Sequence, residues 1–185
     1  AYAGPMVRKV SHIRGKYLVF RNATERDAEF IYFLRTDSIK SRHLSSIDPD
    51  VEVQRHWLRQ YTASSDQAYF IIELGDRPIG TVRIYDAKGD SFSWGSWVLV
   101  SDAPNTAAIE SALMTYAYAV DHLLFQSAHF AVKRANERVW KFHERFGAIR
   151  LREAVDEYLY TIALGEIQKS RVRFNKFLPF GITLD

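Results

Sequence analysis

The stretch Ser91-Phe92-Ser93-Trp94-Gly95-Ser96-Trp97-Val98-Leu99-Val100 decides the fold. Its first half alternates as a β-strand does when its two faces meet different surroundings: Phe92 and Trp94 fall on one face, Ser93 and Gly95 on the other. Trp97 and Leu99 then fall out of phase with Phe92 and Trp94. One extra residue at Gly95-Ser96 restores the phase, which predicts a β-bulge there. The other reading is a strand buried on both faces, for which phase carries no meaning.

Upstream of this strand the chain reads as β-structure. Ala68–Leu74 (AYFIIEL) is a continuous apolar run, as expected of a strand covered on both faces. Gly75-Asp76 makes a two-residue turn, Arg77–Tyr85 returns as the hairpin partner, and Lys88-Gly89 turns the chain again into Ser91. Further back, Lys16–Arg21 (KYLVFR) predicts a strand. Thr24 then caps a helix running to about Arg35, with Phe30 and Leu34 on one face. Thr36–Asp50 is polar and reads as loop, and Asp50 caps a second helix in which Val53, Trp57 and Tyr61 recur at spacing four.

Downstream, Ile109, Leu113, Tyr116, Val120 and Leu123 form a helical apolar stripe. Ser127–Val132 is a short strand. Asn136 opens a compact helix to Phe146, ended by Gly147. Ile149–Leu151 and Tyr158–Leu164 predict two strands around the acidic turn Glu153–Glu157, and a basic extension follows from Gly165. The order is mixed α/β, with a sheet antiparallel in its middle and one crossover through the long helix.

Composition narrows the function classes. The chain has 185 residues, 47% of them apolar and 14% aromatic, which suits one domain with a full core. It has no cysteine, which excludes disulfides, Cys-based zinc sites and a cysteine nucleophile, and fits a reducing, cytoplasmic setting. The net charge of +3 does not demand nucleic acid but suits a polyanionic small ligand. No run of about 18 apolar residues is present, so no membrane-spanning helix is expected. None of His12, His43, His56, His122, His129 and His143 pairs at i, i+4 on one helix, and no metal is expected. Lys169, Arg171, Arg173 and Lys176 alternate with Phe174 and Phe177, which reads as a solvated tail or a surface for a second subunit, so that a homodimer is admitted, rather than as a nucleic-acid site.

The stretch Gly95–Leu99, the loop Ser101–Thr106, the helix carrying Glu110-Ser111-Ala112-Leu113, and the run Asn136-Glu137-Arg138-Val139-Trp140-Lys141-Phe142-His143-Glu144-Arg145-Phe146-Gly147-Ala148 resemble the GNAT acetyltransferases. Gly80-Thr81-Val82-Arg83 on the third strand fits the same pattern. The branches most similar act on nucleotide-linked amino sugars or protein N-termini. The resemblance covers about Tyr17–Leu164 and implies a domain over residues 16–164. It leaves a basic extension over 165–185 and an N-terminal tail over 1–15, of which Ala1–Pro5 reads as a protease-site remnant. It implies a mixed α/β sheet with an antiparallel middle, splayed fourth and fifth strands and helices on both faces.

The resemblance also implies a chemistry. Acetyl-CoA is the co-substrate, and a small-molecule amine attacks its thioester directly in a ternary complex. Pyrophosphate would meet backbone N–H groups and a helix N-terminus at Asn105, Thr106, Ala107 and Ala108. The pantetheine arm would pair along Trp97, Val98 and Leu99 like an added strand, with Asn136 bonding it from the other side. One departure stands out: the family's Gly-rich loop is absent, Pro104-Asn105-Thr106 takes its place, and Asp102 adds a negative charge. The plainer reading makes Asn105, Thr106 and Asn136 ordinary N-caps.

His143 stands where relatives carry a Tyr that protonates the departing thiolate, a task suited to a group titrating near neutrality. Its spacing from Val139 and Phe146 equally suits a core histidine bonded to backbone. The general base is open: the expected position falls near Ser93, which cannot serve, leaving water, Glu73, Asp37 or His43. On the acceptor side, Tyr32, Tyr69, Tyr85 and Trp94 offer stacking surfaces and Arg35, Arg42 and Arg83 offer phosphate contacts, which favours a nucleotide-linked amino sugar. The alternatives are a protein N-terminal amine, or a degenerate domain that binds without chemistry.

Overall fold

The computed structural model describes residues 4–36 and 51–185. Among these, nine strands form one sheet in the order β7-β8-β6-β5-β4-β3-β2-β1-β9. The strands are β1 (His12–Arg14), β2 (Leu18–Asn22), β3 (Ala68–Leu74), β4 (Arg77–Lys88), β5 (Ser91–Leu99), β6 (Ser127–Lys133), β7 (Ile149–Glu153), β8 (Glu157–Ala163) and β9 (Thr183–Leu184). The helices are α1 (Ala28–Thr36), α2 (Val51–Ala63), α3 (Ala107–Ala117), α4 (Glu137–Phe146) and α5 (Leu164–Arg173). Every neighbouring pair is antiparallel except β5 with β6, which α3 joins as a crossover.

The apolar run of β3 has the cause expected of it. Phe70 and Ile72 enter the large core with Leu113, Tyr116, Phe146 and Ile167, below α3, α4 and α5. Tyr69 and Ile71 enter a smaller core with Ala28, Ile31, Leu58 and Tyr61, below α1 and α2. Helices therefore cover both faces of the sheet.

The structure corrects the helix faces in two places. On α2 the buried residues are Gln54, Leu58 and Tyr61, while Val53 is 47% exposed. The sheet-facing stripe is thus rotated by one residue from the spacing-four pattern. On α3 there is no one-sided stripe, since every residue from Glu110 to Ala117 is buried. Glu110 is tolerated there because its Oε2 accepts the backbone N–H groups of Tyr17 and Leu18, each at 2.9 Å. This contact leaves no room at Gly15, where a Cβ would stand 2.5 Å from Met114 Sδ and 2.7 Å from Glu110 Oε2.

The sheet extends beyond the boundaries expected at residues 16 and 164. β1 pairs with β2, and β9 adds to β1 through Ile13↔Leu184 and Arg14↔Thr183. α5 buries Ile167, and Phe174 stacks on Phe146 at 5.8 Å between ring centroids. Arg171 forms an ion pair with Asp121 at 2.6 Å. The basic extension is therefore part of the domain's own packing.

The β-bulge lies where the tryptophan phase places it. Between the pairs Thr81↔Val98 and Arg83↔Gly95, β4 advances two residues and β5 three. Ser96 takes the left-handed backbone conformation at φ 46°, and its carbonyl accepts the Thr81 hydroxyl at 2.7 Å. Trp94 and Trp97 thereby come to one side, with ring centroids 5.0 Å apart. Gly80 allows the close approach beside the bulge: a Cβ there would stand 2.3 Å from the Val98 carbonyl oxygen.

β5 and β6 share only the pairs Ser91↔Ser127 and Phe92↔Ala128. At the next position the Ser93 hydroxyl donates to the His129 carbonyl, and the two strands part. His129 also clips this end of the seam, its Nδ1 2.7 Å from Ser91 Oγ and its Nε2 3.0 Å from Asp86 Oδ2.

Candidate active site

Where β5 and β6 part, a cavity of about 300 Å³ opens through the sheet. Strand register assigns its walls. Tyr69 pairs with Arg83 and Arg83 with Gly95, so these residues share the face that carries α1 and α2. Phe130 lies against His143 of α4 at 4.3 Å, so Lys133, of opposite parity on β6, and its partner Glu157 turn to the α1/α2 face. From that face the cavity receives Arg35, Trp57, Tyr69, Arg83, Tyr85, Lys133 and Glu157. From the other it receives Trp94, Trp97, Phe130, Asn136, Val139 and His143. The bulge at Gly95 and Ser96 lies between them.

Among the described residues, the buried side-chain polar atoms without a hydrogen-bond partner are Arg35 Nε, Tyr69 Oη and His143 Nδ1. All three residues line this one cavity. An orphaned buried polar group costs roughly 1–3 kcal/mol, so their convergence marks a surface shaped for something polar to fill.

The cationic wall is built in two ways. Arg83 is held rigidly: its guanidinium lies 4.0 Å from the Tyr85 ring centroid and 6.0 Å from that of Trp57, and Nη1 donates to Gln67 Oε1 at 2.9 Å. Arg35 is different. Burial lowers its pKa, the nearby Tyr69 acts in the opposite sense, and Arg83 adds repulsion. No carboxylate among the described residues pairs with it. Lys133 gives its ammonium to Asp156 at 3.3 Å.

His143 is only 4% exposed, enclosed by Phe130, Trp94, Trp97 and Phe142. Burial pushes its pKa down to about 3. The expectation that it titrates near neutrality is therefore overturned: among the described residues no anionic side chain forms an ion pair with it, and the aromatic cage disfavours the charged ring. A backbone partner for its Nδ1 is not present either. The group on offer is a neutral imidazole pointing a polar atom at a cavity.

The cofactor-side expectations divide. Trp97 and Asn136 line the cavity. The Asn136 side chain makes no cap bond to α4, which leaves it available for a ligand. Trp97 is anchored by its Nε1 donating to Ser111 Oγ at 3.0 Å. Val98 is buried and Leu99 packs into the core, so their side chains are outside the cavity and only their backbone could serve. Asn105, Thr106, Ala107 and Ala108 lie at the start of α3, away from the cavity wall. Thr106 makes no side-chain cap bond. Asp102 does not present a bare charge, since Arg77 holds its two oxygens at 2.9 and 3.0 Å.

On the acceptor side, Arg35, Tyr69, Arg83 and Tyr85 are brought together as expected. Trp94 is not part of that face: it turns toward α3, where its Nε1 donates to Tyr116 Oη at 3.1 Å. Tyr32 is half-buried on α1 outside the cavity lining. Arg42, Asp37 and His43 lie outside the described residues. Glu73 is removed from the base candidates because Arg21 binds it at 3.3 Å, away from the cavity. Sequence reasoning missed Trp57 of α2 as a lining residue, and it missed Phe130, Lys133 and Glu157, for which the signal is a strand register that no local pattern reveals.

The comparisons with known proteins bear on the family and the fold. The family model described as "Acetyltransferase (GNAT) domain" matches residues 17–149. Apo FdhC, described as a nucleotide-linked sugar GNAT, is 32% identical, with a TM-score of 0.80 over 93% of this chain and 99% of that one. The spermidine N-acetyltransferase of Vibrio cholerae, solved with CoA and spermine, is 12% identical, with a TM-score of 0.72 over 82% of this chain and 98% of that one. A GNAT-family acetyltransferase from Bacillus anthracis is 17% identical, with a TM-score of 0.69 over 83% of this chain and 99% of that one. At these last two identities the likeness concerns the fold alone. A comparison with curated protein sequences gives no match.

Proposed function

Since the chain belongs to the GNAT acetyltransferases, we propose that it transfers the acetyl group of acetyl-CoA to the primary amine of an anionic small molecule, of the nucleotide-linked amino sugar kind. The observation that carries this reading is Arg35, a half-buried guanidinium that has no anionic partner among the described residues and shares a cavity wall with Arg83. Two guanidiniums on one wall suit a diphosphate or carboxylate, and Trp57 and Tyr85 beside them suit a base or sugar ring. The sugar-linked GNAT relative supports the same class. A polyamine, the substrate named for the Vibrio cholerae enzyme, would meet like charge at Arg35, Arg83 and Lys133.

The co-substrate would lie on the α3/α4 side. Asn136 and the free backbone edge of β5 around Trp97 are suited to its two amides, and backbone N–H groups at the start of α3 to its phosphates. The acceptor would enter from the α1/α2 side and meet the thioester at the bulge. An N–H near Ser96–Trp97 would then stabilise negative charge on the carbonyl oxygen, and the neutral His143 ring would donate a hydrogen bond to the departing sulfur. The chemistry is direct transfer: the chain has no cysteine to carry the acetyl group.

The test is a panel of UDP- and dTDP-linked amino sugars, N-terminal peptides and spermidine, assayed by release of free CoA. Turnover on the amino sugars is expected. Turnover confined to peptides or spermidine refutes the anionic acceptor, and acetyl-CoA binding without turnover on any amine favours a non-catalytic domain.

A further inference from the structure

We infer that Glu157 binds the acceptor's ammonium group and takes its proton, serving as the general base of the transfer. The inference rests on the acetyltransferase reading above and adds the residue that reading lacks. Among the described residues, Glu157 is the one carboxylate that lines the cavity. It is also out of place in the chain's pairing pattern. Among the described residues, Glu29, Asp66, Asp76 and Asp90 find no ion-pair or side-chain hydrogen-bond partner, and all four are exposed to water. Glu157 likewise finds none, yet it is half-buried. Its strand partner Lys133 would be the obvious neighbour, but Lys133 pairs with Asp156 instead.

Its position suits the chemistry. Register puts Glu157 on the α1/α2 face, the side from which the acceptor would enter, and across the opened seam from Arg83 and Tyr85. The carboxylate acts electrostatically on Tyr85, whose hydroxyl lies over Gly95 at the bulge. Among the described residues, the other charged groups facing the same space are Arg35, Arg83 and Lys133, and His143 lies on the opposite side. The cavity thus has an anion-seeking end at the two arginines and a cation-seeking point at Glu157. An acceptor carrying both a phosphate or carboxylate and an ammonium group matches that polarity.

The ammonium N–H bond breaks and its proton goes to the Glu157 carboxylate, leaving the nitrogen lone pair free. That lone pair forms the N–C bond to the thioester carbonyl carbon. The C–S bond then breaks, the sulfur keeps the electron pair, and the nitrogen's surplus proton leaves to the thiolate or to water. Glu157 returns its own proton to solvent.

The experiment compares wild type with Glu157→Gln and Glu157→Asp, using whichever amine of the panel the wild type acetylates. At pH 7 the Gln variant is expected to lose about 10²–10⁴-fold in kcat, the usual range for a general base. Its KM for acetyl-CoA should stay within about twofold, and its melting temperature within a degree or two. Its rate should climb with pH up to the amine's own pKa, where a lone pair forms without help, while wild type levels off earlier. The Asp variant should regain part of the rate. A Gln variant within threefold of wild type and with the same pH profile overturns the inference while leaving the acetyltransferase reading intact. Absence of transfer to every amine overturns both.

Discussion

Replacing His143 with Phe tests the aromatic cage by stability as well as by rate. Phe has similar volume, so the packing against Phe130, Trp94 and Trp97 is largely kept. Burial holds the imidazole pKa at about 3 in the folded chain, against the ordinary 6.5 of an exposed histidine, which stands for the unfolded chain. Between those values the unfolded chain binds more protons than the folded one, so stability is complete above about pH 6.5 and falls as pH drops toward 3. The slope approaches about 1.4 kcal/mol per pH unit, or about 2 kcal/mol from pH 6.5 to pH 5. For a chain of this size that is about 4–8 °C of melting temperature. Urea unfolding of both proteins at pH 7 and pH 5 reads the difference. The variant should escape this loss, and equal losses in the two proteins would refute a neutral, buried ring. In parallel, loss of a donor to the departing thiolate should lower kcat by about 10- to 100-fold, from the roughly 1.5–3 kcal/mol of a hydrogen bond to a charged group. Unchanged kcat would assign His143 to packing only.

Gly80→Ala places a Cβ 2.3 Å from the Val98 carbonyl oxygen, where backbone must yield. The expected cost is about 1–3 kcal/mol, seen as a melting temperature lower by several degrees together with a raised KM for acetyl-CoA; a melting curve that overlays wild type would contradict the close approach of β4 and β5. Arg35→Met removes a half-buried cation that has no anionic partner among the described residues, so the ligand-free protein should melt at the same temperature or higher. The same variant should raise KM for an anionic acceptor at least tenfold and leave that for acetyl-CoA within twofold, and a marked loss of stability would mean that Arg35 is structural.

The central strands, the crossover and the bulge were legible because each has a local cause. A tryptophan phase slip has few explanations other than an extra residue, and Ser96 in the left-handed region supplies it. Gly147, at φ 113°, ends α4 as its position suggests. What was not legible depends on partners distant in sequence. β1 is three residues long and β9 two, too short for any periodicity; β1 is held by its pairing with β2, and β9 by its pairing with β1. The buried surroundings of α3 follow from Glu110 finding backbone donors 92 and 93 residues away. In the site, residue types identified His143, Arg35 and Arg83, but the fold sets their chemistry. Four aromatic rings keep the imidazole neutral, and register alone turns Glu157 toward the cavity.

The two-pair seam between β5 and β6 has a mechanical consequence. A sheet normally carries shear through a continuous ladder. Here the strand ladder ties the leaf β6-β7-β8 to β5 at one end only, by Ser91, Phe92, Ser93 and the His129 clip, and rings such as Trp94 and Phe130 pack across the opened part of the seam. Rings slide more easily than a ladder of hydrogen bonds does. An elongated ligand lying in the seam would supply the missing rungs and act as a removable rivet. Its binding energy would stiffen the link between the two leaves, and its departure would return that link to a hinge at Ser91–Ser93. Amide hydrogen exchange along the facing edges of β5 and β6 would record the change, slow when the seam is filled and fast when it is empty.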